Sequence, residues 1–325
     1  MLYTDSLNQG IQTSIDLLRS GDARSLARAI STVENRAAGW SELLKALFPH
    51  TGKARIIGLT GAPGSGKSTL VDQLAKHYRT NKENQTVGII AVDPTSPYTG
   101  GAILGDRIRM QDHHDDPGIY IRSMATRGWL GGLARATADA ATVLDASGRN
   151  LVMIETVGVG QDEIDIVRLA DVTIVILVPG MGDDVQTIKA GIMEIADIFV
   201  INKSDREGAE RVEREIRALQ SLATRHDQWT PRIVKTVASE GLGIKDLAAA
   251  IADYEAYLKT DDLAFKKNVE NWQLRLVEML RDAMLDKARA HIDAGSLEHY
   301  AAEIAKHKRD PYSLVEEIVG RAEHR

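Results

Sequence analysis

Gly61, Gly66, Lys67 and Ser68 stand in GLTGAPGSGKST at the spacing G-x-x-x-x-G-K-[ST]. Glycines at those places let the backbone curl until successive N–H groups converge on phosphate oxygens. Gly61, Ala62, Pro63, Gly64, Ser65, Gly66, Lys67, Ser68 and Thr69 are therefore the expected phosphate cradle. Lys67 would reach the β- and γ-phosphates, and the Ser68 hydroxyl would ligate Mg²⁺. A helix starting at Ser68 would aim its positive end at the same oxygens. The plainer reading is an incidental Gly-rich turn. The apolar run RIIGLT before the motif and the helical pattern after it argue against that.

A second cluster addresses the base. Asn202, Lys203 and Asp205 form N-K-x-D directly after the apolar run DIFVIN. A carboxylate at Asp205 can accept from guanine N1–H and from the exocyclic amine. Adenine offers an acceptor at N1 and no 2-amine, so it would leave the carboxylate unpaired, and polar sites reject such analogues by large factors. Lys203 would lay its stem over the base plane while Asn202 braces the loop. Alone, N-K-x-D is a common turn sequence; its place after a strand and beyond a phosphate loop gives it weight. TVASEGLGI at 236–244 is the further base-contacting loop. Val237 stands where Ser is usual, Ala238 keeps a backbone N–H to face guanine O6, and Ser239 follows.

The catalytic carboxylates are less regular. IETVGVGQDE at 154–163 puts Glu155 where Asp-x-x-Gly motifs carry Asp, and Val159 where a water-positioning Gln is usual. Glu155 is one methylene longer than Asp and can still hold a water on Mg²⁺. Val159 cannot orient water. Asp93 in AVDPTSP follows the second apolar run and could orient the nucleophile; Asp106 in ILGDR is a further Mg²⁺-shell candidate. The expected catalytic set is Lys67, Asp93 and Glu155, and the expected metal set is Ser68, Asp93, Asp106 and Glu155. Plainer readings stand beside these: Asp93 as a turn-former before Pro94, Asp106 as a helix N-terminal carboxylate, Glu155 as a solvated strand end. Arg107 or Arg109 could serve as an internal arginine finger. His113 and His114 sit among acids but read best as a solvated loop, and Trp129 as packing.

These residues need a sheet to hold them. RIIGLT, VGIIAVD, GIYIRS, NLVMIET, VTIVILV, DIFVIN and PRIVKTVA alternate with helical stretches. Continuous apolar strands are buried on both faces, which implies an α/β fold with a mostly parallel sheet covered by helices. Residues 1–50 read as an N-terminal helical arm, 51–258 as the nucleotide domain, and 259–325 as C-terminal helices. In the last of these, Trp272, Leu274, Leu276, Val277, Met279, Leu280, Met284 and Leu285 form a stripe of the core or dimer-interface kind. The chain has 325 residues, 43% apolar and 26% charged, with net charge −6. An acidic chain without Lys/Arg blocks makes nucleic acid or an anionic membrane an unfavoured partner. No cysteine is present, which excludes disulfides, thiolate zinc sites and Cys nucleophiles. The N-terminus has no signal-peptide pattern, and VTIVILV is far short of the roughly 20 residues of a membrane helix. A cytoplasmic protein is expected.

With these residues in hand, the chain resembles the MeaB/ArgK family of P-loop GTPases, which includes the methylmalonic aciduria type A protein. The resemblance runs from about Gly21 to Tyr257. It rests on GDARSLARAISTVEN, GLTGAPGSGKSTL, AVDPTSPYTGGAILGDRIRM, ETVGVGQDEIDI and PGMGDDVQTIKAGIMEIADIFVINKSD. It implies a SIMIBI-type P-loop GTPase fold with helical extensions at both ends, and GTP/GDP with Mg²⁺. It also implies that Glu155 is native to the motif. The implied partner is an adenosylcobalamin-dependent acyl-CoA mutase of the methylmalonyl-CoA mutase type, chaperoned by a homodimer. GTP hydrolysis would gate cofactor loading and protect the mutase. The Gly-rich segments 98–106, 157–165 and 179–186 suit parts that rearrange with the nucleotide. The rival functions are a metallochaperone GTPase for another metalloenzyme and a small-molecule or protein kinase.

Overall fold

The computed structural model describes residues 2–81, 84–93, 116–125, 132–156, 158, 169–180, 195–222, 229–290, 292 and 296–323. Seven strands form one sheet: β1 Arg55–Gly61, β2 Val87–Asp93, β3 Ile119–Ala125, β4 Leu151–Glu155, β5 Val172–Leu177, β6 Ile198–Asn202 and β7 Arg232–Thr236. Their order is β3-β2-β4-β1-β5-β6-β7, and every pairing is parallel. Each of the seven apolar runs in the sequence is one of these strands.

Alternation along the strands decides which helix covers which face. Ile57, Leu59, Met153, Ile174, Ile176 and Val200 enter one core. The helices there are α4 Lys67–Thr80, through Leu70, Val71 and Leu74, and α7 Ile244–Leu258, through Leu247, Ile251 and Tyr254. The intervening residues point the other way. Ile90, Val92, Val152 and Ile154 pack against α5 Gly132–Ala146 and three N-terminal helices, α1 Leu2–Arg19, α2 Ala23–Glu34 and α3 Trp40–Leu47. Val175, Leu177, Phe199 and Ile201 pack against α6 Ala209–Leu222. Residues 1–50, read from the sequence as an arm, thus contribute Leu18, Leu26, Ile30, Val33 and Leu47 to a core shared with the sheet.

The chain divides into two compact units, Met1–Ala264 and Phe265–Arg325. The second holds most of α8 Leu263–Arg289, with α9 Ser296–Ala305 and α10 Pro311–Glu323. No residue of α8 is buried. Phe265, Val277, Leu280 and Met284 are each more than 60% exposed, apolar surface of the sort that marks an interaction face.

The entry into β1 hangs on one buried acid. The Asp145 carboxylate, near the end of α5, accepts the N–H groups of Gly52, Lys53 and Ala54. Replacing Asp145 with Ala orphans all three, and the expected cost is about 3 kcal/mol of unfolding free energy, read by urea denaturation. A loss below about 0.5 kcal/mol, the range of ordinary surface substitutions, would mean that water replaces the carboxylate.

Candidate functional site

The central strand β1 delivers its loop between β4 on one side and β5 on the other, at the carboxyl ends of the strands. Gly61 lies so close to β5 that a Cβ there would overlap the Ile176 carbonyl oxygen. Gly64 and Gly66 follow with φ of +78° and +88°, conformations that a side chain disfavours. Gly66 caps α4, whose first residue is Lys67. The Lys67 ammonium is 6% exposed as a residue and folds back on the loop, donating to Gly61 O at 2.8 Å and Ala62 O at 3.1 Å. Phosphate oxygens would offer it stronger, charge-assisted partners in the same place.

β4 brings Glu155 alongside Leu59 of β1. Glu155 is 4% exposed, so it is not a solvated strand end. Its Oε1 accepts from Ser68 Oγ at 2.6 Å, which joins the first turn of α4 to the end of β4. Thr156 continues the seam, its hydroxyl 3.1 Å from that of Thr60. Gly158 then rides over the loop. A Cβ at this residue would overlap Gly61 O and lie 2.7 Å from Lys67 Nζ, at a φ of +94°. Glycine is what lets this backbone approach the lysine so closely.

Asn202 closes the site from the other side. It is 2% exposed. Its Nδ2 donates to Ser65 O at 2.8 Å, and its Oδ1 accepts from Thr236 Oγ1 at 3.0 Å and from the Ala238 N–H at 3.1 Å. One carboxamide therefore ties the phosphate loop, the end of β6, the end of β7 and the loop beyond it. Lys203, at a φ of +55°, donates from Nζ to Gly64 O at 2.8 Å, so its stem spans from β6 to the phosphate loop. Asp205 is exposed, as is Ser239. Val237 is buried and pairs with Leu242 in an antiparallel bridge.

Three features were not legible beforehand. The Ala238 N–H, expected to face guanine O6, is engaged by Asn202. A hydroxyl reaches the Asn202 carboxamide from Thr236, the residue before Val237. Gly158 is a steric neighbour of Lys67. TVAS itself holds the signal for the second, since Thr236 precedes the substituted position. Of the remaining predicted residues, Asp93 ends β2, two residues past the Ala91 that pairs with Glu155; its side chain lies outside the described residues. So do Asp106, Arg107, Arg109, His113, His114, Trp129 and Val159. Among the described residues there is no group of three or more His, Cys, Asp or Glu able to hold a metal by themselves.

The Asn202 tie can be tested directly. Asn202→Ala leaves Ser65 O, the Thr236 hydroxyl and the Ala238 N–H without their buried partner. A loss of about 3 kcal/mol in stability is expected, with nucleotide affinity weakened about a hundredfold. Urea unfolding and titration with a fluorescent GDP analogue measure the two. Unchanged affinity in a folded variant would show that the loops hold their places without this residue.

Comparison with known proteins shows the family and the fold. The family model described as methylmalonyl-CoA mutase-associated GTPase MeaB matches residues 26–293. A relative in Pyrococcus abyssi is 47% identical over 317 residues, 95% of this chain and 97% of its own. GTPase ArgK of Escherichia coli is 37% identical over 289 residues, 86% of each chain. The mitochondrial methylmalonic aciduria type A homolog of Mus musculus is 33% identical over 301 residues, 85% of this chain and 72% of its own. Among solved structures, that of a LAO/AO transport system kinase superposes with a TM-score of 0.70 and 26% identity, covering 95% of this chain and 96% of the other. By its match to this family model and its identity to these relatives, the chain belongs to the MeaB family of methylmalonyl-CoA mutase-associated P-loop GTPases.

Proposed function

We propose that this protein is a Mg²⁺-dependent cytoplasmic GTPase, acting as a homodimeric G-protein chaperone of an adenosylcobalamin-dependent acyl-CoA mutase of the methylmalonyl-CoA mutase type. GTP hydrolysis gates delivery of the cobalamin cofactor to the mutase and protects the loaded enzyme. The observation that carries the nucleotide site is the Asn202 tie, which gathers Ser65, Thr236 and Ala238 around one buried carboxamide. The choice of partner rests on family membership. In this reading residues 51–258 do the nucleotide chemistry, 1–50 support the sheet and 259–325 form the dimer arm.

Each residue has a task. Gly61 to Thr69 present backbone N–H groups to the phosphates, and Lys67 leaves the Gly61 and Ala62 carbonyls for phosphate oxygens. Asp205, exposed at the N-K-x-D turn, accepts from guanine N1–H and the 2-amine. Lys203 covers the base, and Val237, Ala238 and Ser239 wall its far edge. Mg²⁺ fits the donors present: Ser68 Oγ and Glu155 Oε1 are two hard oxygens 2.6 Å apart, beside the loop that would hold the phosphates. When bound, the ion neutralises charge on the β- and γ-phosphates. Asp93 orients the attacking water, and Asp106 completes the metal's surroundings.

A site with Val159 in place of a water-positioning Gln hydrolyses slowly by itself. The partner is what accelerates it, by completing the arrangement around the γ-phosphate. Slow GTP turnover by the purified protein, about tenfold or more faster with a methylmalonyl-CoA-type mutase present, is the expected result (about 1.4 kcal/mol off the barrier). ATP should be a poor substrate, and EDTA should stop turnover. A rate indifferent to every mutase tried would sink the chaperone assignment while leaving the GTPase standing.

The homodimer is supported by the unpartnered face of α8, where Leu276, Leu280 and Met284 recur every four residues and are 51%, 63% and 64% exposed. Sedimentation velocity should give a dimer for the wild-type protein and a monomer for Leu280→Asp/Met284→Asp. A wild-type monomer at micromolar concentration would refute this part.

A further inference from the structure

At the opposite end of the sheet from the phosphate loop, a buried cation shares the nearby carboxylate, that of Asp116, with a second guanidinium. Arg149 lies two residues before β4 and is 8% exposed. Its Nη1 donates to Pro117 O at 3.3 Å and Gly118 O at 2.9 Å. A guanidinium has five N–H donors, and those two carbonyls occupy only the Nη1 pair. The nearby carboxylate, Asp116, is committed elsewhere. It receives Arg79 Nε at 2.8 Å, Arg79 Nη2 at 2.7 Å and the Gly118 N–H at 2.8 Å. One acid thus faces two guanidinium groups, and among the described residues no carboxylate lies within ion-pair distance of Arg149. Burial, and next the Arg79 charge, hold the Arg149 pKa below the usual arginine value. Arginine does not respond by deprotonating, so an incoming anion would be the stabilising response.

There is room for one. Arg149 lines a cavity of about 130 Å³ together with Leu18, Leu26, Thr86, Pro117 and Ser147. At roughly 30 Å³ per water this holds a ligand of a few heavy atoms. Its remaining nitrogens are not sealed off within the protein. The hydroxyls nearby already donate inward, Ser147 to Leu144 O at 2.6 Å and Thr86 to Asn150 Oδ1 at 2.9 Å. That leaves the guanidinium as the polar anchor, with two leucines, Leu18 at 1% and Leu26 at 2% exposure, as apolar wall. A planar fork matches a carboxylate, and the leucines match a short hydrocarbon chain.

We propose that the cavity between the α1–α2 turn and the segments leading into β2, β3 and β4 is a binding site for a small aliphatic monocarboxylate, anchored by Arg149 and distinct from the nucleotide site. β4 joins the two, with Arg149 just before its first residue and Glu155 at its last.

The test uses the full-length protein saturated with GDP, so that the phosphate loop does not report. Acetate, propionate and inorganic phosphate are titrated by ligand-observed NMR at ionic strength matched with chloride. Propionate should bind about fourfold tighter than acetate, the effect of one buried methylene, and phosphate more weakly than either. Arg149→Met should weaken propionate about tenfold or more. Ser147→Glu keeps the arginine but places a tethered carboxylate in the cavity, and should exclude propionate to the same extent; it decides the matter if Arg149→Met does not fold. Equal binding by wild type and Ser147→Glu, a preference for phosphate over propionate, or no binding beyond the chloride control overturns the proposal.

Discussion

The structure around the nucleotide site depends on a single buried carboxamide. Asn202 donates once and accepts twice, each time with a group from another part of the chain: Ser65 O on the phosphate loop, the Thr236 hydroxyl at the end of β7 and the Ala238 N–H beyond it. The contact also dictates a neighbour. A Cβ at residue 66 would overlap the Asn202 Nδ2, so residue 66 must be glycine for a second reason besides its φ of +88°. A buried polar group is costly unless satisfied, and here satisfaction requires three loops to be in place together. The glycine-rich loop, the N-K-x-D turn and the loop after β7 are thereby set against one another.

The opposite flank is held by a different kind of constraint. Ser68 and Glu155 join helix α4 to β4 through a short buried hydrogen bond, while Gly158 lies against Gly61 and Lys67 with no space for a side chain. The backbone at residue 158 runs close to the lysine, since a Cβ there would lie 2.7 Å from Lys67 Nζ.

The sheet supplies rigidity to both flanks. β4, β5 and β6 are buried along their whole length, and the register of the sheet brings Glu155 beside Leu59 and Asn202 beside Thr236. The helices at residues 2–47 are part of this support, since Ile30, Val33 and Leu47 fill the core over β2 and β4. The helices beyond residue 264 are of another character, with many of their large apolar side chains turned to solvent and Leu314 buried.

What the sequence determined by itself was the local chemistry. Gly61, Gly66, Lys67 and Ser68 could be read as a phosphate cradle because a tight turn demands glycine at given spacings, and Asp205 as a guanine reader because hydrogen-bond direction is a property of the side chain. The seven strands were legible as well, since residues buried on both faces leave uninterrupted apolar runs. The tertiary structure decided what depends on residues far apart in the chain. That Glu155 meets Ser68, that Asn202 takes the Ala238 N–H and the Thr236 hydroxyl, and that Arg149 and Arg79 both face Asp116 all follow from strand order and register. A parallel sheet with order 3-2-4-1-5-6-7 sets as neighbours segments separated by 87 residues in the case of Ser68 and Glu155, and by 137 in the case of Ser65 and Asn202. Local spacing carries no trace of such pairings, because they are chosen by the packing of the whole sheet.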